Sequence, residues 1–234
     1  MALFCGNPEG PSTAHTADSM MNHFRRPFCL AIALAMCVAC AAPGGLAIQT
    51  TPPVENPLVD VAARDPRIVI DLPYATRNNF TGEVLYTTAR CLLRESVLMR
   101  LSRVQDDLEE RGYGLKIWDA YRPHSVQRRM WQIEPDARFV ANPERGSRHN
   151  RGMAVDVTLV QRGGAEVAMP TSFDDFSQAA DASYSEAGPA ETFHRDLLIE
   201  AMQRQGFTVL ASEWWHFDAE GWEQAPVLDV PLVP

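Results

Sequence analysis

Apolar positions along this chain recur with two different periods, and the switches between them sketch the fold. Ile68 to Leu72 is β-branched and apolar and predicts a first strand, followed by a loop from Tyr74 to Gly82. From Cys91 onward Leu93, Val97, Leu101, Val104 and Leu108 recur at spacings of three and four. That spacing predicts an amphipathic helix ending at Gly112. Leu115, Ile117 and Trp118 then predict a short strand, and Pro123 with Ser125 opens a second helix carrying Val126, Met130 and Ile133. Residues 134–147 read as polar loop. Gly152 to Val160 predicts a strand, Gln161-Arg162-Gly163-Gly164 a hairpin turn, and Ala165 to Met169 a returning strand. After an irregular, mobile-looking stretch at 171–188, Phe193, Leu197 and Met202 mark a third helix that stops at Gly206. Phe207 to Leu210 and Trp214 to Phe217 supply the last strands. Hairpins beside helices, without regular strand–helix alternation, predict an α+β domain with a mostly antiparallel sheet flanked by helices.

One apolar run does not belong to that pattern. Phe28 to Ala42 follows Arg25-Arg26 and ends in the small residues Ala39-Cys40-Ala41, the layout of a secretory leader. It is too short for a comfortable transmembrane helix, so no membrane span is expected. Cleavage after Ala41 would release a soluble, exported and periplasmic protein. Cys37-Val38-Ala39-Cys40 departs from a lipobox at its first position, which leaves a lipid anchor at Cys40 as the alternative. Arg25-Arg26-Pro27-Phe28 also echoes a twin-arginine signal. Residues 1–19 carry no targeting character, so translation from Met20 or Met21 is a further alternative. The chain thus divides into a leader at 1–41, a Pro- and Gly-rich linker-like lead-in at 42–60, and a single domain at 61–234.

Removing the leader changes the cysteine count more than the charge. Four of the five cysteines go with it, and Cys91 alone remains, so the mature domain has no internal disulfide. The formal net charge stays at −9, and no Lys/Arg cluster points to nucleic acid or anionic lipid. The sequence assigns no oligomeric state.

The chemistry lies in three short patches: Asp119-Ala120-Tyr121-Arg122-Pro123, Ser147-Arg148-His149 with Gly152 and Asp156, and Glu213-Trp214-Trp215-His216. Two imidazoles and a carboxylate form a borderline-soft ligand set that suits one Zn²⁺ and leaves a position open for water. His149 lies in a loop and Asp156 in a strand, and Gly152 lets the backbone turn so that they converge. Glu213 and His216 are three apart, which on a regular strand sends them to opposite faces. A bulge or strand end must intervene, and the spacing suits Glu213 as a base beside the metal better than as a fourth ligand. Arg122, delivered by a strand and fixed by Pro123, is the candidate oxyanion holder, with Asp119 to orient it. Of Trp214 and Trp215, one reads as core and the other as an aromatic that dries the site. His15 and His23 fall in the leader, His124 follows Arg122-Pro123 as a lesser candidate, and His194, beside Arg195 and Asp196, reads as solvent-exposed.

Asp119-Ala-Tyr-Arg-Pro, Ser147-x-His149-x-x-Gly152-x-Ala154-Val155-Asp156 and Glu213-Trp-Trp-His216 resemble the D-Ala-D-Ala dipeptidase (VanX-type) branch of the zinc D,D-peptidases. Tyr74-Ala-Thr-x-x-Asn79-Phe80-x-Gly82, and Met169 followed by Phe173-Asp174, are similar to that branch too. The resemblance covers about residues 65 to 218. It implies an α+β zinc fold with His149, Asp156 and His216 as ligands, Glu213 as base and Arg122 at the transition state. Ser147 matches a position near the bound substrate, and Tyr121 and Trp214 join it as candidate substrate contacts. Arg148 stands where some members carry a second Ser, a departure that bears on how a substrate carboxylate is held. Related D,D-carboxypeptidases usually show Pro where this chain has Trp214.

The expected function is zinc-dependent hydrolysis of the dipeptide D-Ala-D-Ala outside the cytoplasm, in salvage of wall dipeptide. The competing expectations are a D,D-carboxypeptidase that trims longer wall peptides, and a non-catalytic zinc-binding module on the same scaffold, as the hedgehog signalling domains resemble. The presence of Glu213 and Arg122 beside all three ligands argues against the last.

Overall fold

A computed structural model describes residues 45–51 and 54–233. The leader read at 1–41, with its cleavage and lipidation sites at Ala41 and Cys40, lies outside the described residues.

The segment read as linker enters the fold instead of leading up to it. It holds β1 (Ile48–Gln49) and β2 (Leu58–Asp60), followed by α1 (Val61–Arg64) and β3 (Val69–Ile70). Next come β4 (Leu92–Arg94), which runs directly into α2 (Glu95–Glu109), then β5 (Tyr113–Asp119) and α3 (His124–Ile133). The rest comprises β6 (Ala154–Gln161), α4 (Pro189–Arg204), the hairpin of β7 (Phe207–Leu210) and β8 (Glu213–Ala219), and β9 (Val227–Leu228).

A five-stranded sheet in the order β3-β5-β6-β8-β7 forms the centre. Only β3 pairs parallel, with β5; the other three ladders are antiparallel. The class is α+β, as the pattern predicted. Along β6, Val155, Val157 and Leu159 are fully buried on one face while Asp156 and Thr158 point to the other, as the two-residue period of a strand requires. α2 and α4 pack on each other and on the sheet, and neither contributes to the cavity on the Asp156 side. Val97, Leu101, Val104 and Leu108 of α2 are at most 1% exposed, so its predicted stripe faces the core.

Three local expectations need correction. The helix does not begin at Cys91: Leu92–Arg94 is a strand paired with β2, and its buried Leu93 happened to fall in register with the helical repeat. The lead-in strands arise from pairing with distant chain, Leu58–Asp60 with Leu92–Arg94 and Ile48–Gln49 with Val227–Leu228, which local composition does not encode. The returning strand at Ala165–Met169 reduces to a single bridge between Val160 and Glu166. Glu166 turns aside to pair with Lys116, and Pro170 cannot donate to a ladder.

Buried Arg94 staples these pieces behind the site. Its guanidinium donates to the carbonyls of Arg151, Asn56 and Pro226, joining the His149 loop, the lead-in and the C-terminal segment. Gly152 sits against this staple in the left-handed region, φ 66°, closing the short 3₁₀ turn His149–Arg151. A Cβ there would lie 2.8 Å from Leu58 Cδ2. Gly152→Ala is therefore expected to cost about 1–3 kcal/mol through left-handed strain and the clash. Urea denaturation checks it, and a midpoint equal to wild type would remove Gly152 from this role.

Candidate active site

Strand register builds the site. β6 and β8 pair so that Asp156 lies opposite His216, and after a register shift β5 sets Asp119 opposite Asp156. Asp119, Asp156 and His216 thus form a row across three neighbouring strands. His149 reaches the row from the 3₁₀ turn, where Arg122 N donates to the His149 carbonyl and Asn150 Nδ2 donates to that of Arg122. Ser147 Oγ accepts from His149 N at 3.2 Å, which braces the turn from within.

The three candidate ligands converge on one point. His149 Nε2, Asp156 Oδ1 and His216 Nδ1 are 2.9–3.3 Å apart, and all three residues are buried. Tetrahedral ligands at about 2.05 Å from a zinc ion would lie about 3.3 Å from one another, so the spacing fits. The outward nitrogens are committed elsewhere: His149 Nδ1–H donates to Ala120 O at 2.7 Å and His216 Nε2–H to Asp218 Oδ1 at 3.0 Å. Those partners orient both rings so that His149 Nε2 and His216 Nδ1 face Asp156, where a bound cation would take the place of a proton. Burial disfavours charge on His216, yet Asp156 and Asp218 outweigh it and raise its pKa to about 10. Burial likewise opposes charge on Asp156, but His149 and His216 pull its carboxyl well below the usual range. The cluster is electrostatically prepared for a cation.

Glu213 reaches the same cavity because the strand is irregular. The β7–β8 ladder jumps from Val209↔Phe217 to Leu210↔Glu213, which accommodates Glu213 and His216 on one side despite their odd spacing. Its carboxyl has no hydrogen-bond partner among the described residues. Its pKa is raised, mainly by burial and further by Asp156, against the pull of the two imidazoles and Arg122.

Arg122 is 8% exposed and held on three sides. It donates to Asp119 Oδ2 from Nε at 3.1 Å and Nη2 at 2.6 Å, and to Gln127 Oε1 from Nη1 at 2.7 Å, and it lies over the Tyr74 ring. Asp119 in turn accepts from Tyr86 Oη and Ala120 N. A guanidinium so braced is a fixed charge, which is what an oxyanion holder requires.

A cavity of about 620 Å³ opens over these groups, lined also by Ser147, Asp174, Trp215 and Trp222. Of the three candidate substrate contacts, only Ser147 lines it. Tyr121 is buried elsewhere, exchanging hydrogen bonds with the backbone of Val230, and Trp214 is core, donating Nε1–H to Thr171 Oγ1. The strand irregularity turns Trp215 to the cavity in place of Trp214. His124 is buried and bonds Pro143 O, bracing the 134–147 loop outside the cavity lining, and His194 is half-buried against Tyr113 and Ala168 O instead of exposed.

Sequence reasoning assigned no role to Asp174, Tyr74 or Asp218. Asp174 hangs over the cavity from a left-handed backbone position, φ 56°, and accepts from Tyr74 Oη at 3.0 Å. Burial and the Asp156 charge push its pKa up to about 8.

This geometry fits a candidate hydrolytic metal centre, and the class is metallopeptidase. The chain belongs to the D-ala-D-ala dipeptidase family, Peptidase_M15, whose model matches residues 54–229 and so takes in β2 of the lead-in. It is 37% identical over 171 residues to the D-alanyl-D-alanine dipeptidase of Escherichia coli K12, covering 73% of this chain and 89% of that one. To the D-alanyl-D-alanine dipeptidase of Enterococcus faecalis V583 it is 31% identical over 168 residues, covering 63% and 83%. Among solved structures it is similar to a vancomycin-resistance D,D-pentapeptidase, VanY, in complex with Zn(II), at 17% identity and a TM-score of 0.37, over 59% of this chain and 78% of that one.

The raised pKa of Asp174 sets a pH dependence. Folded, it holds a proton that the unfolded chain, at its ordinary value of 3.8, has lost, so its contribution is full below about pH 4 and disappears as pH rises through about 8. Asp174→Asn, which tolerates the left-handed backbone and still accepts from Tyr74, is expected to gain stability relative to wild type as pH climbs through that window. Urea titrations of both metal-free proteins check this; a difference independent of pH would refute it.

Proposed function

We propose that this protein is a zinc-dependent dipeptidase that cleaves D-Ala-D-Ala outside the cytoplasm. The observation that carries the reading is the convergence of His149 Nε2, Asp156 Oδ1 and His216 Nδ1 beside a carboxyl and a guanidinium that are not ligands. Two imidazoles and one carboxylate are a donor set of the catalytic zinc type, and one ion per chain fits it. The activity printed for the relatives supports D-Ala-D-Ala as substrate.

A zinc ion held there would polarise the scissile carbonyl and acidify a water molecule. Glu213 accepts a proton from the attacking water and delivers it to the departing amine, so water adds across the peptide bond and two D-alanines leave. Its raised pKa favours the first transfer, since a weakly basic carboxylate would accept the proton of water poorly. Arg122 faces the oxygen on which charge develops, and its bracing by Asp119 and Gln127 means little reorganisation as that charge appears. A dipeptide is a zwitterion at neutral pH. Asp174 lies in the same cavity with oxygens that can accept from its ammonium, and Ser147 and Arg148 supply donors for its carboxylate.

Two kinetic variants test the roles. Glu213→Ala is expected to retain zinc and lose about 10²–10⁴-fold in kcat on D-Ala-D-Ala. Arg122→Lys, which keeps a charge beside Asp119, is expected to lose about 10²–10³-fold in kcat with KM little changed, because an ammonium does not reproduce the braced fork. Zinc content measured on each variant separates the readings: metal lost with Glu213 would make it a ligand, and a raised KM with intact kcat would make Arg122 a substrate anchor. Running the same assay on a longer peptide ending in D-Ala-D-Ala distinguishes a dipeptidase from a D,D-carboxypeptidase.

The leader-like run at Phe28 to Ala42 supports the reading that the protein is exported. An exported enzyme does not meet the cytosolic dipeptide used for wall precursors, so the role we assign is salvage of wall dipeptide. Mass spectrometry of the mature protein is expected to find an N-terminus near Ala42 or a lipidated Cys40. Intact residues 20–41 on a cytoplasmic protein would overturn both location and role.

A further inference from the structure

We propose that Asp218 is a positioning residue for the metal site, and that Arg148 holds it in place. The inference rests on the reading of His216 as a metal ligand. Asp218 follows His216 by two positions on β8, so both side chains project from the same face. The β6 residue paired with it is Ala154, whose lone methyl leaves room for the carboxylate to lie beside the imidazole. Asp218 Oδ1 accepts Nε2–H of His216 at 3.0 Å, and Asp218 Oδ2 lies 3.3 Å from Arg148 Nε. Asp218 is 8% exposed, and its two carboxylate oxygens meet separate partners inside the fold.

Arg148 is itself held. Its guanidinium lies 4.6 Å from the centre of the Trp222 ring, on the 3₁₀ turn that follows β8. Its backbone adjoins His149. The chain of contacts therefore closes a ring: His149 is bonded to Arg148 through the peptide, Arg148 pairs with Asp218, Asp218 holds His216, and His216 meets His149 at the ligand point. The two rings differ in their outward acceptor. His149 donates to a neutral carbonyl, which fixes orientation alone, while His216 donates to a carboxylate, which also makes the ring a stronger electron donor.

The test measures zinc affinity of the purified protein by chelator competition, with the visible spectrum of the Co²⁺-loaded protein as a report on ligand geometry. Asp218→Ala is expected to weaken zinc binding about 10–100-fold and to shift the Co²⁺ bands. Asp218→Asn is expected to lose less, because its amide oxygen still accepts Nε2–H, and it serves if the alanine variant folds poorly. Arg148→Ala is expected to fall between Asp218→Ala and wild type, and wild-type affinity there would overturn the Arg148 link. Wild-type affinity and spectrum in both Asp218 variants, with zinc lost from His216→Ala, would overturn the positioning role alone. Wild-type zinc binding in His216→Ala would instead overturn the ligand reading, and the inference with it. A purely structural role would lower thermal stability while leaving the Co²⁺ spectrum unmoved.

Discussion

Strand register is the constraint on which the site depends. Asp119, Asp156 and His216 meet because β5, β6 and β8 pair in one alignment, with a shift between Ile117 and Asp119 in the β5–β6 ladder. A slip by one residue on any of these strands would carry its functional side chain to the helix-packed face. What resists the slip is the opposite face: Val155, Val157 and Leu159 of β6, and Phe217 of β8, are fully buried. Exposing a single side chain of that size costs about 1.5–3 kcal/mol. The apolar face thereby sets the chemistry of the polar one.

On that polar face the charges are arranged in layers. Asp119 is fully buried and binds Arg122, its neighbour by three residues, so the guanidinium cannot swing away without leaving a buried anion unpaired. Asp156 lies one strand further on and faces both imidazoles, and Asp218 stands behind His216. Glu213 and Asp174 sit at the cavity, where burial holds their carboxyls toward the neutral form. Acidic groups in such density repel one another, and a divalent cation among His149, Asp156 and His216 would relieve that repulsion.

Much of this was legible in the sequence, and the parts that were not share a cause. The candidate ligands His149, Asp156 and His216, with Glu213 and Arg122, are readable because each sits in a short patch whose residue types match one chemistry. The odd spacing of Glu213 and His216 even required a bulge, and the β7–β8 ladder has its irregularity there. Trp214 and Trp215 are readable as one core and one cavity residue, but which is which depends on that irregularity, and it is Trp215 that lines the cavity. Tyr121 shares a patch with Arg122 yet points the other way, toward Val230. β1 and β2 pair with strands far along the chain, so their Pro-rich surroundings suggested a linker. Asp218 carried a local signal, a carboxylate two residues beyond a ligand on the same strand, that the period-2 rule makes readable.

The backbone strain and the titration behaviour of Asp174 belong together. A non-glycine residue at φ 56° is uncommon, and such positions persist where surrounding contacts over-determine them. Here the contacts are the Tyr74 hydroxyl on the carboxyl and Phe173 beside it, stacked on Trp118. They aim a buried carboxyl into a cavity that Glu213 shares, so two acids compete for one low-dielectric space while Asp156 stays ionised between imidazoles. Separate environments that push like groups apart in pKa are how one site divides its labour. A positive ammonium beside Asp174 would offset the part of its shift that comes from Asp156, while the larger part, burial, would remain.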